Sequence, residues 1–131
     1  MVRTFSKSRS LAGGRLGFTI ASKEIIADLE KVRNSFNPYN VNSVTLAMGA
    51  ASIADDEYFQ TTRQTVIRNR ALLTEGLKKS GFTVLDSRAN FIFASPPDKD
   101  GKKLYSSLRE RGVLVRYWDE ARISEFSRIS V

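Results

Sequence analysis

Apolar residues recur at helical spacing in four stretches of the chain, each preceded by polar residues that can begin a helix. In the first stretch the apolar positions are Ile25, Ile26, Leu29 and Val32. This spacing predicts one face of a helix that begins after Ser22 and ends at Asn37-Pro38. The second stretch is apolar nearly all round, which is typical of a buried helix. The four predicted helices are residues 23–33, 44–53, 55–80 and 102–111.

Short runs rich in aromatic and β-branched residues lie between these helices and predict β-strands. Glycine separates some of them from the helices, with Gly81 after the third helix and Gly112 after the fourth. The predicted strands are residues 15–22, 82–85, 90–94, 113–117 and 127–131. From residue 55 the order is helix, strand, strand, helix, strand, strand. This order predicts an α/β protein whose second part is α+β, with helices packed on one face of a small sheet.

The composition narrows the chemistry that such a protein can perform. Hydrophobic residues make up 41% of the 131 residues, which is enough for a core. The absence of cysteine excludes disulfides and thiolate metal sites, and the absence of histidine removes the commonest general base and metal ligand. No apolar run is long enough to span a bilayer, and the N-terminus lacks the apolar region of a signal peptide. We therefore expect a soluble, cytoplasmic protein with no metal and no membrane partner.

The formal net charge of +7 would attract anionic partners such as nucleic acid or anionic metabolites. The lysines and arginines are dispersed along the chain and form no block of like charges. Charge alone therefore does not favour a nucleic-acid role. A standalone basic α+β module that binds nucleic acid or a protein remains an alternative.

One lysine near the N-terminus, Lys7, lies in a segment with a distinctive order of serine, glycine and arginine. Thr4-Phe5-Ser6-Lys7, followed by Leu11-Ala12-Gly13-Gly14-Arg15-Leu16-Gly17, resembles the cofactor-lysine segment of fold-type-I aminotransferases, which use pyridoxal phosphate. Within that family, the histidinol-phosphate aminotransferase group is the most similar. Four further segments follow in the family's order: Pro38-Tyr39-Asn40-Val41-Asn42, Ala89-Asn90-Phe91, Gly112-Val113-Leu114-Val115-Arg116 and Arg128-Ile129-Ser130-Val131. Five segments in order are stronger evidence of family than any one of them.

The resemblance implies cofactor-binding roles for three residues. Lys7 would supply the amine that condenses with the cofactor aldehyde. Without the flanking segment, it would be interpreted as an exposed terminal lysine. Arg15 would bind the cofactor phosphate, because a guanidinium can bond two phosphate oxygens at once. Ser6 would donate its hydroxyl to the same phosphate. The simpler alternatives are a surface charge for Arg15 and an ordinary turn residue for Ser6.

The resemblance also implies that two arginines bind the substrate. Arg128 would hold the substrate carboxylate from a predicted strand, where an unpaired charge is costly. A buried structural salt bridge is its alternative. Arg116 would face a distal phosphate of the substrate, or else pair with Asp119 or Glu120.

Other parts of the resemblance concern supporting positions and departures. Asn90 would hydrogen-bond backbone in the small domain, while Tyr39 and Asn42 would lie near the dimer interface and contact the partner's site. Ser8-Arg9-Ser10 stands where the family usually has a small residue, an aromatic and a glycine, and Gly14 replaces a larger apolar residue. Arg9 thus adds a cation close to the expected cofactor site.

These features predict a fragment of a pyridoxal-phosphate aminotransferase that moves an amino group between an amino-phosphate or amino-acid substrate and 2-oxoglutarate. Histidinol phosphate is the first candidate substrate. Residues 1–54 would be a remnant of the large domain, and residues 55–131 the small domain. The chain starts six residues before Lys7 and stops within a predicted strand, so we expect the C-terminal portion of a longer homodimeric enzyme, inactive alone. An aromatic-amino-acid aminotransferase and an amino-acid-phosphate decarboxylase are the alternatives within this class.

Overall fold

The computed structural model describes all 131 residues, Met1–Val131, and the chain divides into two compact units. Unit 1 is Met1–Arg63 and unit 2 is Gln64–Val131. The division falls inside one long helix, Asp56–Lys79. The assignment of residues 1–54 and 55–131 to two enzyme domains stays a prediction.

Unit 1 combines a two-stranded sheet with helices. β1 (Val2–Thr4) pairs antiparallel with β2 (Gly17–Thr19). After them come α1 (Lys23–Phe36), α2 (Ser43–Ala54) and the start of α3 (Asp56–Lys79). β2 is shorter than the predicted strand over residues 15–22, and β1 was not predicted. All three residues of β1 are exposed, so no alternation of apolar and polar positions marks it. Only its pairing with β2 makes it a strand.

The helices of unit 1 begin and end at the polar residues that the sequence indicated. Asn42 Oδ1 accepts a hydrogen bond from the backbone N–H of Thr45 at 2.8 Å and caps α2. α1 continues three residues beyond its predicted end and stops before Asn37-Pro38. Ser22 precedes α1 but makes no capping bond. Its hydroxyl instead hydrogen-bonds the Glu24 carboxyl and lowers the pKa of that group.

The apolar faces of α1 and α2 are exposed, which differs from the sequence expectation for α2. Leu29 and Val32 of α1 are 46% and 66% exposed. α2 buries only Thr45 and Gly49, so the prediction of a buried helix is wrong for this chain. Both helices are present although no element of unit 1 covers their outer faces.

Unit 2 builds a four-stranded antiparallel sheet in the order β3-β4-β6-β5. Its strands are β3 (Thr83–Val84), β4 (Phe91–Ser95), β5 (Arg116–Tyr117) and β6 (Ser127–Ser130). α4 (Gly101–Glu110) packs against β5 and β6. The core lies in β4, where Ile92 and Ala94 are completely buried. The predicted order of helices and strands is therefore confirmed, although β5 is shorter than the predicted residues 113–117.

Two glycines end the helices α3 and α4 in the same way. Gly81 and Gly112 have φ angles of 83° and 77°, which a residue with a Cβ rarely adopts. After α3, the N–H of Phe82 donates to the Leu77 carbonyl and the N–H of Gly81 to the Lys78 carbonyl, each at 3.0 Å. α4 ends with the same pair of bonds, so both ends are Schellman motifs. None of the four helices has the length and apolar character needed to cross a membrane.

We predict opposite effects on stability for alanine at two glycines. A Cβ on Gly101 would overlap the Ser124 carbonyl oxygen and lie 2.9 Å from the Glu125 carbonyl carbon, and this backbone has little room to move. Gly101→Ala should therefore lower the free energy of unfolding by about 1–3 kcal/mol. Gly76, on α3, has open space around it, so Gly76→Ala should raise the free energy of unfolding by about 0.5–1 kcal/mol. Urea unfolding of both variants checks this, and a stabilised Gly101→Ala protein would contradict the packing described.

Candidate active site

The segment that carries three of the predicted site residues is a loop whose base is closed by strand pairing. β1 and β2 pair as far as this base, where the N–H of Phe5 donates to the Leu16 carbonyl at 3.0 Å. Ser6 and Arg15 are the next residues on either side, and Lys7 follows Ser6. Strand pairing therefore brings the two predicted phosphate ligands to the same end of the loop, beside the predicted cofactor lysine.

The base of this loop is also the hydrophobic core of unit 1. Phe5 and Leu16 are 4% and 9% exposed, and the Phe5 ring meets the Phe18 ring edge-on with centroids 5.8 Å apart. The Leu16 side chain lies so close to Gly49 of α2 that a Cβ on this glycine would overlap it. The loop is thus docked on α2 at a position that only glycine accommodates without repacking.

The polar groups at this end of the loop have unused hydrogen-bonding capacity. Ser6 Oγ accepts a bond from Thr4 Oγ1 at 2.9 Å, which leaves the Ser6 hydroxyl proton free to be donated. The Arg15 guanidinium makes one long bond, from Nη1 to the Ala12 carbonyl at 3.4 Å. The Lys7 side chain is exposed and has no hydrogen-bond or ion-pair partner. None of these donors is paired with an acidic residue. The Ser6 and Arg15 donors fit the phosphate of the cofactor that the resemblance implies, and the Lys7 amine beside them is free.

Arg15 reaches this position through an uncommon backbone conformation. A 3₁₀ turn over Ala12–Gly14 precedes it, and Arg15 has φ 51° and ψ 37°, in the left-handed region. A Cβ on Gly14 would lie 2.8 Å from the Leu11 side chain. Gly14, which replaces the larger apolar residue usual in the family, therefore leaves the space beside the turn that the Leu11 side chain occupies.

Arg116 and Arg128, the two predicted substrate ligands, are paired in register on β5 and β6. One indole contacts both, because the guanidinium carbons of Arg116 and Arg128 lie 5.3 and 5.6 Å from the Trp118 ring centroid. Arg128 also lies 5.2 Å from the Phe91 ring centroid. Sequence reasoning missed Trp118 and gave Phe91 no role. The sequence offered one signal for these contacts: Trp118 lies two residues after Arg116, and Phe91 directly follows Asn90.

Neither arginine forms the structural ion pair that was its alternative interpretation. Asp119 pairs with Lys102 at 3.6 Å, and Glu120 makes no ion pair. Arg128 Nε is buried and has no hydrogen-bond partner. Because a buried donor without a partner is destabilising by about 1–3 kcal/mol, this guanidinium is suited to an anion that a ligand supplies.

The remaining motif residues have plainer positions. Tyr39 is 92% exposed, and Asn42 caps α2 as described. Asn90 bonds backbone through its own carbonyl, which accepts from the N–H of Val131 at 3.0 Å. Arg70, which the sequence did not single out, holds this motif from α3 by donating to the Ala89 carbonyl at 2.7 Å.

Other features of the chain do not point to a different site. An open cavity of about 850 Å³ lies between α3 and the segment that begins in β3, and none of the five predicted site residues lines it. No group of three or more Asp or Glu side chains is arranged to hold a metal ion.

Comparison with known proteins identifies the family that this geometry resembles. The sequence model of the family "Aminotransferase class I and II" matches residues 1–131. The chain is 47% identical over 131 residues to histidinol-phosphate aminotransferase 1 of Bordetella parapertussis and to histidinol-phosphate aminotransferase 2 of Rhizobium meliloti. In each case the match covers 100% of this chain and 37% of the relative. The chain therefore spans little more than a third of the curated relatives it matches.

A solved structure gives the same result for the fold. Histidinol-phosphate aminotransferase from Sinorhizobium meliloti, in complex with pyridoxal-5'-phosphate, superposes with a TM-score of 0.86 at 25% identity. The match covers 99% of this chain and 35% of that one. The resemblance stated from the sequence motifs, and the fold that it implied, are both confirmed.

We predict that the left-handed conformation at position 15 opposes stability. This region costs an L-residue about 1–2 kcal/mol, while glycine adds about 0.5–1 kcal/mol of unfolded-state entropy. Arg15→Gly should therefore leave the free energy of unfolding unchanged or raise it by up to about 1.5 kcal/mol. Arg15→Ala is the matched control, since it removes the guanidinium and keeps the strain. Urea unfolding measures both variants. If both raise the free energy of unfolding equally, the cost comes from the Arg15 side chain and not from its backbone conformation.

Proposed function

Because this chain belongs to the class I and II aminotransferase family, we propose that it is the C-terminal portion of a pyridoxal-phosphate aminotransferase of the histidinol-phosphate aminotransferase group. On this proposal residues 1–54 belong to the large, cofactor-binding domain and residues 55–131 form the small domain. The observation that carries the proposal is the end of the loop where Ser6, Lys7 and Arg15 present free donor groups.

Each residue of the loop has a defined part in this proposal. Pyridoxal phosphate supplies, when bound, an aldehyde carbon and an electron-withdrawing ring. Lys7 supplies the amine, which must lose its proton before it can act as a nucleophile. Arg15 binds two phosphate oxygens with its planar guanidinium, and Ser6 donates its free hydroxyl proton to the same phosphate. Two glycines in the loop allow backbone to approach the anion.

The two arginines of unit 2 define the substrate end of the proposal. Arg128 binds the substrate carboxylate, supported by its buried Nε without a partner. Arg116, its neighbour across the strands, binds a distal phosphate. An amino acid presents a carboxylate to Arg128 and an amino-phosphate presents a phosphate to Arg116, so the two cations match the anionic groups of the two kinds of substrate. Histidinol phosphate as amino donor, 2-oxoglutarate as acceptor, a cytoplasmic location and a homodimer are further parts of the proposal, suggested by the relatives' family.

The test of the proposed function is selective labelling of Lys7. The chain is mixed with pyridoxal phosphate, reduced with borohydride, and the modified lysines are located by mass spectrometry. Each charge-assisted bond to the phosphate contributes about 1.5–3 kcal/mol, so Lys7 should be labelled at least about tenfold more than the exposed reference Lys99. Arg15→Met should remove this preference. Similar labelling of all lysines in the unmodified chain would refute the assignment of Lys7.

Labelling is separate from turnover, which requires groups that hold the cofactor ring. We expect no transamination above that of free pyridoxal phosphate when the 131-residue chain is tested alone. Turnover that Lys7→Ala abolishes would show that the chain suffices for the reaction.

A further prediction concerns the role of Arg128 in the complete enzyme. Arg128→Lys keeps the charge and loses the two-pronged bond to the carboxylate. The loss of one charge-assisted bond should weaken the binding of the amino-acid substrate about ten- to a hundredfold, while the cofactor band in the visible spectrum stays unchanged. Substrate titration and the spectrum of the same sample give both quantities. Release of the cofactor with substrate affinity unchanged would reverse the roles of Arg128 and Arg15.

A further inference from the structure

Arg9 follows Lys7 by two residues, and none of the proposed roles uses it. Its Nη1 donates to the Ser52 carbonyl of α2 at 2.6 Å. Its guanidinium carbon lies 3.9 Å from the centroid of the Phe59 ring of α3. The side chain is half-buried. The cation that the sequence adds near the cofactor site is therefore directed onto a carbonyl and an aromatic face of unit 1.

Both groups that hold Arg9 lie where α2 ends and α3 begins. α2 ends at Ala54, so the Ser52 carbonyl is among the last four of the helix, which lack partners within it. A cation there also interacts favourably with the negative end of the helix dipole. Phe59 lies in the first turns of α3, and its ring face attracts the guanidinium. Two independent interactions thus fix Arg9 to one junction between helices.

The backbone connects this anchored side chain to Lys7. The N–H of Ser10 donates to the Lys7 carbonyl at 3.1 Å, so Lys7 is the first residue of a tight turn and Arg9 the third. The N–H of Leu11 donates to the Phe5 carbonyl at 3.1 Å and closes the turn from outside. Ser10 has φ 55°, a conformation with a local cost. A turn with such a residue needs support from elsewhere, and Arg9 is the residue of this turn whose side chain is anchored on unit 1.

We propose that Arg9 is a positioning residue for Lys7: by binding the Ser52 carbonyl and the Phe59 ring, it fixes the turn on which the Lys7 amine is presented. The proposal rests on the proposed function of Lys7. The competing role is electrostatic, with the charge of Arg9 acting on the Lys7 amine directly.

Amide hydrogen exchange in the 131-residue chain tests whether Arg9 fixes the turn. Arg9→Met keeps the length of the stem and removes both interactions. We expect the Ser10 and Leu11 amides to exchange at least about tenfold faster, which corresponds to about 1.4 kcal/mol, while the amide of Leu46 in α2 is unchanged. Arg3→Met is the matched control, because it removes a charge four residues from Lys7 on the other side, from an exposed side chain without a partner. Unchanged Ser10 and Leu11 exchange in Arg9→Met would overturn the proposal.

Should Arg9→Met unfold unit 1, Phe59→Leu provides the second variant. It removes the aromatic face and leaves the bond from Arg9 to the Ser52 carbonyl. Faster exchange at Ser10 and Leu11, smaller than about tenfold, supports anchoring by both groups. Exchange rates equal to those of the unmodified chain contradict it.

The pH profile of Lys7 labelling by pyridoxal phosphate separates position from charge. A positioning role predicts that Arg9→Met lowers labelling of Lys7 relative to Lys99 about tenfold, without moving the midpoint of the profile. Arg9→Lys should recover only part of the loss, since an ammonium makes one of the contacts and stacks poorly. A shifted midpoint in both Arg9→Met and Arg3→Met, with full recovery in Arg9→Lys, would establish the electrostatic role instead. If the unmodified chain shows no preference for Lys7, the proposed function fails, and exchange at Ser10 still decides the role of Arg9.

Discussion

The contact between Leu16 and Gly49 is the constraint on which the candidate cofactor site depends. Phe5 and Leu16 are the only buried hydrophobic side chains in unit 1, and both flank the base of the loop that carries Lys7. A Cβ at Gly49 would overlap the end of the Leu16 side chain, and the Leu16 carbonyl accepts the bond from Phe5 that closes the base of the loop. The polar residues Ser6, Lys7 and Arg15 thus extend from a base in which Phe5, Leu16 and Gly49 pack together.

Unit 2 holds its two candidate substrate ligands by a different principle. Register between β5 and β6 brings Arg116 and Arg128 together, although like charges on facing residues repel. Aromatic faces offset part of that cost, with Trp118 contacting both guanidinium groups. An aromatic ring orients a cation without neutralising it, whereas a carboxylate would do both. Both positive charges therefore remain available to an anionic ligand.

Several local costs in the structure lie where the resemblance places function, although Lys99 also has a positive φ angle and the buried Ser127 Oγ also lacks a partner. In the loop that carries Lys7, Ser10 and Arg15 have positive φ angles. On β6, Arg128 Nε is buried without a partner. Stable folds retain such features where surrounding packing imposes them. In this chain that packing consists of the Leu16–Gly49 contact, the anchoring of Arg9 and the aromatic rings around Arg128.

The amino-acid sequence alone determined the helices, their order with the strands and the family. The cap Asn42, and the glycines that end α3 and α4, act within a few residues, so their effects can be inferred from the sequence. Only the tertiary structure decided that Val2–Thr4 is a strand, that α2 is exposed, and that Arg9 reaches Ser52 across 43 positions of sequence. Each of these depends on which distant segment lies alongside, and periodicity and capping carry no information about such partners.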